Sequence, residues 1–463
     1  MRILLVYPDQ NRTMGLQQLA RLEPLGLEMI AGALHNRHEV AILDMRLKPD
    51  ALTSILADFQ SYLVGISSTF TVDIYQAISV AEAVKAFDQH IFVFIGGHHP
   101  SLCPEDFYHP AVDAIVVGEG EHTMQELVDC LAAGDDPDRV PGLVLNRPER
   151  QYFTGPQPLI KNLDVLPYPK RSLVESYRKH YHLVLNRPVA LLETTRGCPH
   201  RCRFCSVWKF YQERVRIKSP QRVIEELTAI EEPYVFFTDD NFLSDVNRAR
   251  EIACLIRERG IRKSYTIQAR SDAIVSHPEI ITQWREAGLS CVFIGFEKPD
   301  QTALGAVDKK NSVENNEAAL KVLRQEGIEP VASFIADPDY GHDDFVNLRA
   351  YVRRLKLRFP AFTVLTPLPG TALFEEVKEQ LTTANFELFD LLHAVLPTKL
   401  PLTKFYKEMA SLWREAYPSW RLNLIRMYLF LRDLWLRSPG PQHWQRVLAE
   451  GRRLADAQTY LRG

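Results

Sequence analysis

The stretch "ETTRGCPHRCRFCSVW", Glu193 to Trp208, holds three of the chain's seven cysteines. Cys198, Cys202 and Cys205 form a CxxxCxxC array among basic and aromatic residues. The run before it, "VALLETTRG", reads as a buried strand that delivers the array into a loop. Thiolates in a short loop bind soft metals. Three of them can hold three irons of a 4Fe–4S cluster and leave the fourth iron open to a ligand. They can also join a zinc site, although structural zinc takes four ligands and commonly uses paired CxxC units. No second CxxC exists here, His200 lies inside the loop, and Cys103, Cys130, Cys254 and Cys291 are scattered singly. The pattern favours the cluster.

Outward from the loop, strand and helix alternate about six times over roughly 180 residues, as in a partial or complete α/β barrel. "YVFFTDDNF", "SYTIQAR", "CVFIGFE", "PVASFIAD" and "FTVLTPLPG" are the later strands; "PQRVIEELTAI", "NRAREIACLIRERG" and "EIITQWREAG" are helical. Chemistry in such folds gathers on the loops after the strands. The cysteines, the Asp239-Asp240-Asn241 run and Glu297 all fall there.

The first 140 residues carry a different α/β pattern. "RILLVYP", "HEVAILD", "YLVGISS", "HIFVFIGG" and "DAIVVGEGE" are short Val/Ile-rich strands, with helical segments such as "PLGLEMIAGALHNR" and "VDIYQAISVAEAVKAF" between them. This predicts an open, doubly wound parallel sheet whose ligand sits at the carboxyl ends of the strands. Gly96-Gly97 and the "GEGE" at 118–121 occupy such turns. Neither is a GxGxxG or a P-loop, so a dinucleotide or ATP site has no support. The Pro-rich "NLDVLPYPKRSL" reads as a crossing linker. The expected organisation is 1–140 for the first sheet, 141–182 for the linker, 183–375 for the barrel and 376–463 for a helical tail.

Composition agrees with an ordinary globular chain: 46% hydrophobic and 24% charged residues are enough for a real core. A net charge of -3 excludes a nucleic-acid coat. The tail is the exception, with eleven Lys/Arg against five Asp/Glu from Pro401 onward and four of the six tryptophans (Trp413, Trp420, Trp435, Trp444). No uncharged apolar stretch of about eighteen residues is present, and no cleavable leader is apparent at "MRILLVYPDQ". Seven cysteines without a paired framework indicate a reduced, cytoplasmic chain.

With these motifs in place, the chain resembles the radical S-adenosylmethionine (SAM) enzymes from about Pro188 to Leu373. The array at the end of the first barrel strand, with Phe204 just before the last cysteine, is similar to theirs. The resemblance implies that the open iron chelates SAM and that reductive cleavage yields a 5′-deoxyadenosyl radical. It implies SAM contacts from Phe204, from Asp239, Asp240 and Asn241, from Arg270 to the carboxylate and from Glu297 to the ribose. The sheet ahead of the barrel resembles the cobalamin-binding group of this family. "EPLGLEMIAGAL", "VGISSTFT", "IGGHHPSLCPEDF", "DAIVVGEGEHT" and "LDVLPYPKR" keep its order. Cobalamin contacts are then expected from Ser67, Thr69, Gly96, Gly97, Gly118, Glu119 and Gly120. The DxHxxG motif is absent, because Asp88-Gln89-His90 is followed by "IFV". No protein imidazole is therefore expected on cobalt. Together these cofactors imply a C-methyltransferase that takes the methyl group from methylcobalamin and replenishes it from a second SAM.

The tail bears on substrate. "WRLNLIRMYLFLRDLWLR", Trp420 to Arg437, has helical spacing with an apolar arc at Leu424, Met427, Leu431, Leu434 and Trp435. Arg426, Asp433 and Arg437 lie on another face. It suits either packing on the barrel or an anionic membrane surface. "RLEPLGLE" and the segment Leu391 to Pro418 look most like hopanoid C-3 methylases, then like the anaerobic magnesium-protoporphyrin monomethyl ester cyclase and bacteriochlorophyll side-chain methylases. A polycyclic lipid is the first expected substrate and a tetrapyrrole the second, with a flavodoxin or ferredoxin as electron donor. A sensor that binds cobalamin or SAM without turnover is the alternative of another class, and the intact cysteine triad argues against it.

Overall fold

The computed structural model describes residues 1–10, 19–306, 309–418, 420–425, 427 and 442–461. A first sheet contains β1 (Arg2–Tyr7), β2 (Glu39–Asp44), β3 (Leu63–Ser67), β4 (Phe92–Gly96), β5 (Ala114–Val116), β6 (Leu143–Asn146) and β7 (Gln151–Phe153). Strands β1 to β5 are parallel in the order 2-1-3-4-5, the flavodoxin-like doubly wound arrangement. Helices α1 (Leu25–Leu34), α2 (Leu52–Phe59), α3 (Ile74–Phe87), α4 (His98–Leu102) and α5 (Gly120–Ala133) accompany it. The alternation of β1 explains its uninterrupted apolar run. Ile3 and Leu5 pack with Ala31 and Leu34 of α1 and Met124, Leu127 and Val128 of α5. Leu4 and Val6 pack with Leu52 and Leu56 of α2 and Ile74, Ala77 and Val80 of α3. A strand covered on both faces needs apolar residues at every position.

The structure redraws the expected linker. Strands β6 and β7 form an antiparallel hairpin that extends the first sheet, so 143–153 belongs to it. "LVLN" is a short apolar run, and reciprocal hydrogen bonds between Arg147 and Arg150 close the turn. The chain beyond β7 does cross between the sheets. Ile160, Leu163 and Leu166 pack between Leu25 and Met29 of α1 and Leu191.

The second sheet is β8 (Val189–Leu192), β9 (Tyr234–Phe237), β10 (Ser264–Gln268), β11 (Leu289–Glu297), β12 (Glu329–Ala336) and β13 (Ala361–Val364), all parallel in sequence order. Among the described residues β8 and β13 do not pair, so the barrel is partial. Phe237, Phe242, Tyr265 and Trp284 meet edge to face between this sheet and its helices, at centroid distances of 4.8 to 5.9 Å. Tyr265 is therefore a core aromatic.

Beyond the barrel and the short helix Ala372–Val377, residues 378–401 are largely irregular, with only the short turns Lys378–Gln380 and Phe386–Leu388. This strap lays Phe389 and Val395 against Val72, near the start of α3. The helix Leu402–Ala416 then packs on the barrel through Phe405 on Phe345 and Trp413 on Phe362. Most of the 420–437 segment, including Arg426, Leu431, Asp433, Leu434, Trp435 and Arg437, lies outside the described residues. No helix among the described residues is long and apolar enough to cross a membrane.

Candidate active site

The carboxyl edges of the two sheets face each other, and the cysteine loop lies between them. It leaves β8, and its base is closed by an antiparallel pairing of Thr195–Arg196 with Arg216–Ile217. Gly197 comes next at φ +97°, and a Cβ there would overlap a backbone carbonyl of the facing segment. Only glycine combines that dihedral with that approach. The Cys205 N–H donates to the Cys202 carbonyl at 3.1 Å, and the Trp208 indole N–H donates to the same carbonyl at 3.2 Å.

The donor set fits a cluster better than a single ion. No disulfide involves any of the cysteines. Cys198, Cys202 and Cys205 share one loop, three thiols where a structural zinc takes four ligands. Burial raises the Cys198 thiol and pushes Cys205 up to about 12, so both are neutral thiols until a metal takes the proton's place.

Around the loop, the acidic run after β9 divides its work. Asp239 is buried, and its Oδ1 accepts the N–H groups of Thr194 and Thr195 at 2.7 and 2.6 Å. Its Oδ2 accepts the Thr194 hydroxyl. Through these bonds Asp239, for which a SAM contact is expected, holds the end of β8. Asp240 is pushed up to about 7 by burial and then by Asp239 and Glu193. The amide oxygen of Asn241 is buried without a hydrogen-bond partner, which leaves it available to a ligand. Phe204 is half-buried in the loop.

Arg270 and Glu297 are already engaged. The Arg270 guanidinium donates to Asp272 at 2.7 Å and to the carbonyls of Lys309 and Lys310 at 3.0 and 2.9 Å. These bonds fix the guanidinium that is expected to meet the SAM carboxylate. Glu297, at φ +63°, accepts from Lys309 Nζ at 2.5 Å. This pair lies across Gly295, where any Cβ would overlap both groups.

On the facing edge, Ser67 and Thr69 lie at the end of β3 with their hydroxyls 3.4 Å apart. Gly97 stands at φ +135° against the Ser68 carbonyl, and Gly96 lies beside Val116. Gly118 stands at φ +84° with nothing within 4 Å of a would-be Cβ. The backbone at the end of β5 is thus open to close approach by a ligand. Gly120 starts α5 against the side chain of Ile30. His90 precedes β4, at the opposite end from Gly96, and is exposed. It cannot reach that edge.

Glu119 behaves differently from the expectation. It is buried, accepting from Arg196 at 2.6 Å, from Arg216 at 2.7 Å and from the Ile160 N–H at 2.7 Å. Glu121 accepts from Arg196 at 2.5 Å. Burial pushes Glu121 up, yet the Arg196 guanidinium holds it below its ordinary range. Through Glu119 and Glu121 the "GEGE" turn therefore clamps the base of the cysteine loop. Sequence reading also missed His98. Its Nε2 shares a 2.7 Å hydrogen bond with Ser206, next to Cys205, and its ring stacks on Phe210 at 4.6 Å. Burial lowers its pKa to about 4, so the imidazole is neutral. The only hint was a His pair directly after Gly-Gly.

Comparisons with known proteins agree with this geometry. Residues 14–128 match the B12 binding domain, and residues 192–352 match the Radical SAM superfamily. The hopanoid C-3 methylase of Methylococcus capsulatus is 33% identical over 94% of this chain and 86% of its own length. The anaerobic magnesium-protoporphyrin IX monomethyl ester cyclase of Rubrivivax gelatinosus is 26% identical over 94% of this chain and 80% of its own length. The solved cobalamin-dependent S-adenosylmethionine radical enzyme OxsB shares the fold at a TM-score of 0.73 and 16% identity, covering 98% of this chain and 71% of that one. Fold and loop thus define a class, a SAM-dependent radical barrel with a B12-binding sheet in front. The chain belongs to the cobalamin-binding radical SAM family, as a methyltransferase whose cofactors are a 4Fe–4S cluster, SAM and cobalamin.

Proposed function

We propose that this enzyme methylates an unactivated carbon of a polycyclic lipid, as a hopanoid-type C-methyltransferase. One observation carries the reading. The 33% identity to hopanoid C-3 methylase runs over 94% of the chain, and so reaches past both matched domains into the C-terminal region. When bound, cobalamin, SAM and the cluster supply the radical chemistry and a transferable methyl group. The chain's own residues bind, orient and exclude water. Cys198, Cys202 and Cys205 would hold the cluster, with Phe204, Asp240 and Asn241 beside SAM and Glu297 at its ribose. Asp239 and Arg270 would shape the surrounding turns. Ser67, Thr69, Gly96, Gly97, Gly118 and Gly120 would cradle cobalamin. Glu119, Glu121 and His98 would keep the two cofactor edges in register.

The tail supports contact with a lipid surface. Trp420, Leu424 and Met427 are exposed at i, i+4 and i+7, one helical face, within the basic region. A tetrapyrrole substrate is the second reading, favoured by the 26% identity to the cyclase over the same share of chain.

Mass spectrometry decides between them. Anaerobically reconstituted enzyme is given SAM, cobalamin, reductant and either a hopanoid or a magnesium-porphyrin ester. A hopanoid heavier by one CH₂, formed with 5′-deoxyadenosine and S-adenosylhomocysteine, is the expected result. An oxidised porphyrin without methyl gain would move the assignment to the cyclase.

A further inference from the structure

The two faces of β11 differ. Val292, Ile294 and Phe296 are buried in the core that also holds Trp284 of the helix Pro278–Ala287 and Leu320 of the helix Val313–Gln325. Cys291, Phe293 and Gly295 alternate with them, are half-buried, and face the inside of the partial barrel. A Cβ on Gly295 would overlap both the Glu297 carboxylate and the Lys309 ammonium. The Glu297–Lys309 pair therefore sits over the inner face of the sheet, where a glycine makes room for it.

The pair is nearly enclosed, with Glu297 6% and Lys309 7% exposed. Lys309 Nζ donates to Glu297 Oε1 at 2.5 Å. Oε2 receives no hydrogen bond among the described residues, so its acceptor capacity is left for a ligand. Lys298, next in sequence to Glu297, is spent on Asp337 and on the Ile335 carbonyl, which leaves Lys309 as the cation paired with Glu297. Lys309 is itself held in place. Its carbonyl and that of Lys310 accept from the Arg270 guanidinium at 3.0 and 2.9 Å, and the Asn311 amide donates to the Ser271 hydroxyl at 2.6 Å. These bonds tie the turn 309–311 to the end of β10, the strand paired with β11. Lysine carries its charge on a flexible stem, so it is the tethered backbone that aims this ammonium.

We infer that Lys309 is a positioning residue for SAM, acting through Glu297. The ammonium takes up one carboxylate oxygen and leaves the other for the ribose hydroxyls. A carboxylate this enclosed needs a paired charge, and a charged acceptor binds a hydroxyl more strongly than a neutral one. The inference rests on the placement of Glu297 at the SAM ribose proposed above.

Four variants test it in the cluster-loaded full chain: Lys309→Met, Lys309→Arg, Glu297→Gln, and Lys309→Met combined with Glu297→Gln. Calorimetry reads the Kd for SAM, and 5′-deoxyadenosine formed with dithionite gives kcat and KM. Lys309→Met should raise Kd and KM at least tenfold while kcat at saturating SAM stays within threefold of wild type. Lys309→Arg should bind SAM within threefold of wild type. In the Glu297→Gln background the Met change should add less than twofold, because the group it acts through is already altered. Irons per chain and the visible spectrum of bound cobalamin should match wild type throughout. Wild-type SAM affinity in Lys309→Met, a loss of kcat with Kd unchanged, Lys309→Arg as weak as Lys309→Met, or additive effects in the double variant overturn the inference. Loss of irons or of cobalamin in Lys309→Met would make the turn a folding element and overturns it as well. Glu297→Gln with unchanged SAM affinity strikes the ribose placement instead.

Discussion

Gly197 joins the strand end to the first cysteine at a dihedral other residues avoid. Gly197→Ala should cost about 1–3 kcal/mol from the backbone conformation alone, with the carbonyl overlap added. A lowered urea midpoint, together with fewer irons per chain after reconstitution, would show that the loop's shape as well as its thiols sets the site. The cysteines themselves act through chemistry rather than packing, being half-buried. Alanine at Cys198, Cys202 or Cys205 should abolish SAM cleavage, measured as 5′-deoxyadenosine, while the visible spectrum of bound cobalamin persists. Loss of cobalamin in these variants would contradict its separate seat on the first sheet.

Between elements, the clamp from the β5 turn to the base of the cysteine loop is the main device. Arg196 alone donates to Glu119, Glu121 and, at 2.9 Å, Glu193. All of these groups except Glu193 are almost fully buried, so removing one partner strands the others. Glu119→Gln should destabilise the chain by about 3–5 kcal/mol in denaturant unfolding. A double-mutant cycle with Arg216→Met should show strong coupling, because the second change removes a cation the first leaves unpaired. Additive effects would mean that the two residues do not act as a pair.

Across the whole molecule, the crossing segment ties the two sheets through a buried acid cluster. Glu23 accepts from Arg171 of the crossing segment and from the Leu191 N–H of β8. Glu28 of α1 is fully buried, with neither carboxylate oxygen hydrogen-bonded and Arg171 3.7 Å away. Burial, and then the Glu23 charge, push Glu28 well above the ordinary carboxylate range. A raised folded pKa stabilises below the unfolded value and loses that contribution as pH rises through the folded one. Wild type should therefore lose stability relative to Glu28→Gln as pH rises above the ordinary carboxylate range. Melting curves that stay parallel over that window would refute a protonated Glu28.

Much of this enzyme could be read from local pattern. The apolar runs of β1 to β5 and β8 to β13 announced two α/β sheets, because strands covered on both faces need no polar alternation. CxxxCxxC after a strand announced the cluster, since ligand spacing within one loop is a property of the chain alone. The hairpin at 143–153 escaped, because a four-residue apolar run beside a Pro-rich segment carries little periodicity. Roles that depend on a partner distant in sequence were beyond reach. Glu119 lies 77 residues from Arg196 and His98 lies 108 from Ser206. Glu119, Asp239 and Arg270 carry the right chemistry for ligands, yet the fold engages each with the protein itself. Spacing along a loop decides which thiols can share a metal. Only the meeting of the two sheets decides which charges are neutralised within the protein and which remain for a cofactor, since burial and pairing are set by what packs against them.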